Sequence, residues 1–412
     1  MTGHRVRLPL VLAASAAAAG AATVALRPRR GLIAAAPVNA TAYFSASDIE
    51  RARAFQRPRR ALALADLAVT GGALATVTLR RPPAISSALA RAASRPLAGS
   101  AATAAGLSLV LSGLSLPARI VSERHARKFG LSTQSWGPWT ADLLKASAIG
   151  TSFAGAGGAL FAALVRRFPR RWWLPGSTGA LAVGTLFTFA APVLLDPIFN
   201  RYTPLPDGEL RSEVLALAER AGVDVGEVYR VDASRRTTAA NAYVGGLGKT
   251  KRVVLYDTLI ERFSRAEIRS VVAHELAHVK HRDVMRSLLW LAVVGPLAAL
   301  GVERLAERIE RGSDGPALIP AAALASGVVS SWIGVAGNAL SRRVEARADA
   351  FALDLTADPD AFVSLERRLA TQNLADPDPP RVLHSLLATH PSTTKRIGYA
   401  LAWRAGAENG AG

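Results

Sequence analysis

The chain has no cysteine. That excludes disulfide staples and thiolate metal sites, so any metal must be held by histidines and carboxylates. Acidic residues are also scarce, with 31 Asp and Glu against 50 Lys and Arg and a formal charge of +19. Such an excess raises nucleic acid as a partner, but the sequence lacks a basic helix with interleaved aromatics. Its arginines cluster beside apolar stretches instead, as in RPRR at 27–30, RPRR at 57–60 and RRFPRR at 166–171. Arginines so placed orient a membrane protein and contact anionic lipid heads, so the expected partner is a lipid bilayer and not nucleic acid. The sequence also lacks internal repeats, and its low-complexity stretches are confined to Ala-rich runs.

Seven segments contain no Lys, Arg or Glu: 8–26, 61–79, 96–118, 146–165, 172–195, 287–302 and 316–340. About 20 apolar residues at 1.5 Å rise cross a hydrocarbon core of about 30 Å, so these segments predict a seven-helix membrane protein. The first, preceded by HRVR, also has the form of a signal peptide. Segment 287–302 is short, at 16 residues, and carries Pro296. The connections 27–60 and 119–145 hold eight and five Lys and Arg, against four, four and three in 80–95, 166–171 and 304–311. The positive-inside rule then puts the N-terminus outside, and both the stretch 196–286 and the tail from 341 in the cytoplasm.

Two regions are polar enough to fold in water. The first predicts a helix with Leu210, Val214, Leu217 and Ala221 on one face behind Asp207 as N-cap. Three short β-rich runs follow, EVYRV (227–231), NAYV (241–244) and RVVLYD (252–257), and predict a small antiparallel sheet with Gly-rich turns such as GGLGKTK. Ser264 and Glu267 then have capping-box spacing ahead of a helix whose buried stripe is Ile268, Val271, Val272 and Leu276. The second region opens with NALSRRVEARADAFALDL, helical and continuous with the seventh segment, and a last helix is expected from near Ser392. The expected division is 1–200 (five membrane helices), 201–285 (sheet and histidine helix), 286–340 (two membrane helices) and 341–412 (C-terminal catalytic region).

Three of the seven histidines fall in VVAHELAHVKHRDV, residues 271–284. On a helix His274 and His278 share a face, with Cβ atoms about 5–6 Å apart, and converge on one ion. Zinc favours four ligands, which two imidazoles half fill, and Glu275 beside them supplies a general base. A third ligand is found in Glu345. The two intervening membrane segments form a hairpin, which returns Glu345 to the membrane face where the histidines lie, leaving one coordination position open. Asp349, one helical turn on, is placed to accept the second N–H of a ligand histidine, or else to pair with Arg342 or Arg343. His281 is seven residues from His274 and is set aside. Asp66, a carboxylate inside an apolar segment, is equally a functional group or one end of a structural hydrogen bond.

HELAH, NALSRRVEARAD and THPSTTKRI, in that order and with seven apolar segments, resemble the type I CAAX prenyl protease family of integral-membrane zinc endopeptidases. NAYVGGLGKTKRVVLYDTLI, PVLLDPIFNRYTPLPDGEL and FGLSTQSWGPWTADLLK extend the resemblance over about residues 45 to 400. It implies a mainly α fold: a seven-helix transmembrane bundle enclosing a chamber, with a cytoplasmic, zincin-like α+β catalytic domain carrying a small β-sheet. It implies Glu275 as catalytic base, His274, His278 and Glu345 as ligands of one Zn²⁺ per chain, and Asp349 as orienting group or proton donor. It further implies His390 and Arg396 as stabilisers of the oxyanion, and Asn241 as a substrate-strand residue. The expected activity is cleavage of membrane-associated proteins or peptides by a monomer. The Ala- and Arg-rich composition points to a GC-rich bacterium, where quality control or peptide processing is expected in place of prenyl-protein maturation. The alternative from another class is a seven-helix receptor or chaperone with a structural zinc, against which an intact Glu275 argues.

Overall fold

The computed structural model describes residues 8–246, 251–310 and 315–410. HRVR at the start and most of the GGLGKTK turn lie outside the described residues. The chain opens with α1 (Leu8–Leu26) and α2 (Ala46–Ala75), which a π turn carries on to Arg80. Next are α3 (Pro83–Ala93), α4 (Pro96–Leu114), α5 (Leu116–Lys128), α6 (Trp136–Arg167), α7 (Trp173–Leu194) and the short α8 (Asp196–Phe199). The first polar region holds β1 (Tyr202–Pro204), α9 (Glu209–Arg220), β2 (Glu227–Val231), β3 (Ala242–Gly245), β4 (Arg252–Tyr256), α10 (Asp257–Arg262) and α11 (Arg265–Lys280). A long hairpin of α12 (Asp283–Ile309) and α13 (Leu318–Thr356) is followed by α14 (Pro359–Gln372), α15 (Arg381–Leu387) and α16 (Thr393–Gly410).

Among the described residues, seven helices are long and apolar enough to cross a membrane, and each contains or overlaps one of the segments read from the sequence. Segment 287–302 is only the apolar middle of the 27-residue α12. Large apolar side chains face outward, with Leu186 and Trp332 about 69% and 70% exposed, which suits a hydrocarbon solvent and not water. α1 packs along α12 and α13, where Ser15 donates to the Leu297 carbonyl (2.9 Å) and Trp290 donates its indole N–H to Thr23 Oγ1 (3.0 Å). Contacts at opposite ends fix the alternation of the helices. Arg81, just past α2, pairs with Glu310, just past α12, at one end. Arg286, at the start of α12, donates to the carbonyl of Leu26, the last residue of α1, at the other end.

The polar elements gather at that second end around one core. Val214 and Leu217 of α9, Val228, Val253 and Leu255 of the sheet, Ile268, Val272 and Leu276 of α11, and Leu353 of α13 are buried together. The expected apolar stripe of α11 is therefore its buried face. Two local expectations are corrected. The α9 N-cap is Gly208, because Asp207 pairs with Arg211 (3.1 Å) instead of turning back onto the helix. The sheet is mixed, in order β1-β2-β4-β3, with β2 parallel to β4. The connection from β2 to β3 is too long for a tight turn and is held away by Thr237 and Thr238, which bond the Leu131 and Gly130 carbonyls. β3 therefore hairpins onto β4, and β4 takes the place beside β2. β1 has three residues, one of them Pro204, too few to show alternation in the sequence.

An apolar cavity of about 990 Å³ lies among α4, α6, α7, α12 and α13. A second, of about 390 Å³, runs between α12 and α13 from His278, Asp283 and Glu345 to Trp290, Leu291 and Leu340. Leu291 lines both, so the buried polar end of the α12–α13 pair is next to the space inside the bundle.

Candidate metal centre

α11 starts where the capping-box spacing placed it. Glu267 accepts from the Ser264 backbone N–H (2.7 Å), and the Ser264 hydroxyl accepts from that of Glu267. Glu267 is buried and also accepts from Ser364 (2.7 Å) and Arg368 (2.7 Å) of α14, so the helix start is tied to a distant element. Two turns on, His274 and His278 share one face of α11, beside the apolar stripe.

α13 returns from its apolar segment without a break and brings Glu345 to them. His274 Nε2 lies 3.3 Å from His278 Nε2 and 3.1 Å from Glu345 Oε2, and His278 Nε2 lies 3.7 Å from Glu345 Oε1. Three donors held about 2.1 Å from one ion at tetrahedral angles stand about 3.4 Å apart, so these spacings, with Glu345 offering a different oxygen to each histidine, are of the size zinc requires. The outer nitrogens are held by carboxylates, so the inner ones face Glu345. His274 Nδ1 donates to Asp349 Oδ1 (2.8 Å) and His278 Nδ1 to Asp283 Oδ2 (3.1 Å). His274 is buried, which by itself lowers its pKa, but hydrogen bonds to Asp349 and Glu345 raise it to about 10. Loading the site exchanges that proton for the ion. Burial raises the Glu275 carboxyl above its ordinary value, against the pull of His274 and His278, the direction a general base near neutrality requires.

Arg396 reaches the site from α16. Its Nε donates to Asp349 Oδ2 (2.9 Å) and its Nη2 to Asp349 Oδ1 (2.5 Å), while Nη1 lies 2.8 Å from Glu366 Oε1. Burial opposes the Arg396 charge, but Asp349 and Glu366 outweigh it and raise its pKa. The guanidinium is thus spent on two carboxylates behind the His274 ring. His390 differs: its Nε2 is 3.3 Å from Glu345 Oε2 on the open side, and its side chain is 61% exposed.

The structure therefore brings together His274, His278, Glu345, Asp349, His390 and Arg396, with Glu275 on the same turn of α11. Asn241 is on another element, exposed just before edge strand β3, its carbonyl accepting from Tyr256 N–H (3.1 Å). His281 stacks edge-on against Phe351 and is outside the three-residue metal cluster. Asp66 lines a separate cavity with Arg59, Arg119 and Glu123, and its buried Oδ1 has no hydrogen-bond partner among the described residues.

Two groups were missed from sequence. Asp283 accepts from His278, Arg286 and Arg347, and it is aimed there by Arg282, which takes the left-handed conformation (φ 54°) between α11 and α12. An acid five residues past the second histidine is a faint signal, since helical spacing predicts no meeting at that distance. Glu366 is fully enclosed, and burial pushes its carboxyl up to about 7 despite Arg396. Nothing local in LERRL distinguishes it from a surface Glu.

Comparison with known proteins agrees with this geometry. The model of peptidase family M48 matches residues 204–404, and that of the CAAX prenyl protease N-terminal region, described as five membrane helices, matches residues 32–201. The metalloprotease YhfN of Bacillus subtilis is 30% identical over 303 residues, 71% of each chain. CAAX prenyl protease 1 of Saccharomyces cerevisiae is 32% identical over 164 residues, 40% of this chain and 36% of that protein. The crystal structure of S. mikatae Ste24p shares the fold with a TM-score of 0.77 at 21% identity, covering 96% of this chain and 99% of that one.

Proposed function

The chain belongs to peptidase family M48, as a multi-pass membrane metalloprotease of the CAAX prenyl protease type, and from that premise we propose how its residues cut a peptide bond. Membership sets aside the receptor or chaperone reading. His274, His278 and Glu345 hold one Zn²⁺; the carrying observation is that one donor atom from each lies within 4.8 Å of the others, while a carboxylate holds the outer nitrogen of both imidazoles. Zn²⁺, when bound, supplies a Lewis acid that acidifies water and polarises a carbonyl.

Glu275 takes a proton from the attacking water on a carboxylate oxygen and passes it to the amine nitrogen as the C–N bond breaks. Its raised pKa makes it able to hold that proton between the two steps. His390, on the open side of Glu345, donates Nε2–H to the substrate carbonyl oxygen as charge develops there. Arg396 is a positioning residue: it holds Asp349, which fixes the His274 ring. Asn241 and the free edge of β3 hold an extended peptide by strand addition. The substrates are membrane-associated proteins or peptides, and the apolar cavity descending from the site between α12 and α13 accepts their lipid-facing side chains. The protein works as a monomer with the metal centre on the cytoplasmic side, as the arginine distribution favours.

The test compares Glu275→Gln with the native protein for cleavage of casein and of a lipidated peptide, with metal content measured on both. The expected result is a rate lower by about 10²–10⁴-fold with one zinc per chain retained. Equal rates would remove Glu275 as the base.

A further inference from the structure

On the far side of α14 from Arg396 is a cavity of about 700 Å³ that the catalytic reading leaves unused. It is lined by Arg51 of α2, Arg262 of α10 and Arg367 and Arg368 of α14, with Asp48 as the one carboxylate in its wall. A volume of about 300–1,000 Å³ is that of a small-ligand site.

Two of the arginines are held in place by neutral groups. Arg51 Nη2 donates to the Phe129 carbonyl (2.8 Å) and Arg367 Nε to that of Tyr43 (2.8 Å). Arg368 splits its guanidinium between the Arg262 carbonyl and Glu267. Carbonyls orient a guanidinium without cancelling its charge. Asp48 is engaged by Ser45 (2.6 Å), and among the described residues Arg51, Arg262 and Arg367 make no ion pair. Long cationic side chains on a solvated face ordinarily splay apart. Here Arg51 and Arg367 are each tied to a carbonyl in the wall of one cavity, and an incoming anion offsets the repulsion of like charges gathered there. Thr238, Thr371 and Gln372 add neutral polar groups to the wall.

We propose that this cavity binds a phosphate-bearing anion of at least two charges, clamped by the Arg51 and Arg367 guanidiniums. Arginine's planar fork matches phosphate oxygens two at a time. The position of the cavity argues for a water-soluble ligand. Arg51 is ten residues before the apolar run that starts at 61, about 15 Å along the helix, whereas a headgroup layer is about 5–7 Å deep. The bound anion joins α2, α10 and α14, and α14 is the element whose inner face presents Glu366 to Arg396.

The experiment uses the full zinc-loaded chain in nanodiscs of phosphatidylcholine, with radiolabelled inorganic pyrophosphate in equilibrium dialysis and a parallel melting curve. One saturable site per chain is expected, weakened at least tenfold in Arg51→Gln/Arg367→Gln and less in Arg51→Lys/Arg367→Lys, which keeps the charge but loses the fork. Zinc content should be equal in all three. A second arm replaces the lipid with phosphatidylglycerol. If pyrophosphate does not bind, but the anionic lipid raises the melting temperature of the native chain and not of the Gln pair, the phosphate is a lipid's and the site stands. Affinity unchanged in the Gln pair would place the anion elsewhere, for instance at the zinc, and overturn the proposal. So would the absence of both pyrophosphate binding and an arginine-dependent lipid effect.

Discussion

Each of the paired histidines has its outer ring nitrogen tied to a carboxylate, His274 to Asp349 and His278 to Asp283. Such partners fix the tautomer and the ring plane, so they control affinity without touching the ion. Asp283→Asn should lower zinc affinity about 10–100-fold, measured by competition with a fluorescent chelator. An unchanged affinity would mean that Asp283 serves only Arg347 and Arg286. Four of the site residues were legible because two sit one helical turn apart and two more sit one turn apart on α13, a spacing the sequence displays. Asp283 and Glu366 were not, because one is set by an αL turn and the other by packing that brings α14 under α16.

At the level of elements, the α11 capping box and the apolar stripe follow from spacing alone, whereas the mixed sheet follows from where the β2–β3 connection is anchored. The setting of α16 is likewise tertiary. Gly398 lies where an added Cβ would stand 2.3 Å from the Ala36 carbonyl oxygen, and its own carbonyl accepts from Ala36 N–H (3.0 Å). Gly398→Ala must therefore push α16 off the 35–36 segment, at a cost of about 1–3 kcal/mol for overpacking. Because Arg396 is two residues earlier, the variant should melt lower and cleave more slowly while keeping its zinc, since no ligand is on α16. Calorimetry with metal analysis checks this, and a native melting temperature with native turnover would show that the segment yields freely.

Over the whole molecule, the seven apolar helices alternate so that both polar regions reach one end, which we propose, from the arginine count, to be the cytoplasmic one. The lack of cysteine makes the assignment testable without background. A single Arg170→Cys, in the exposed α6–α7 connection, should react with an impermeant maleimide from outside intact cells, and Glu408→Cys in α16 only after permeabilisation. The reverse pattern would invert the topology. Apolar runs bounded by arginine determine the number and ends of the crossings, and a histidine pair around a glutamate determines half of the metal centre, because each is a local pattern with a known pitch. The burial that raises Glu275, the pairing of Arg396 with two acids and the gathering of arginines around one cavity behind α14 were decided by tertiary structure alone. Those contacts join residues far apart along the chain, and no spacing in the sequence encodes where two helices cross.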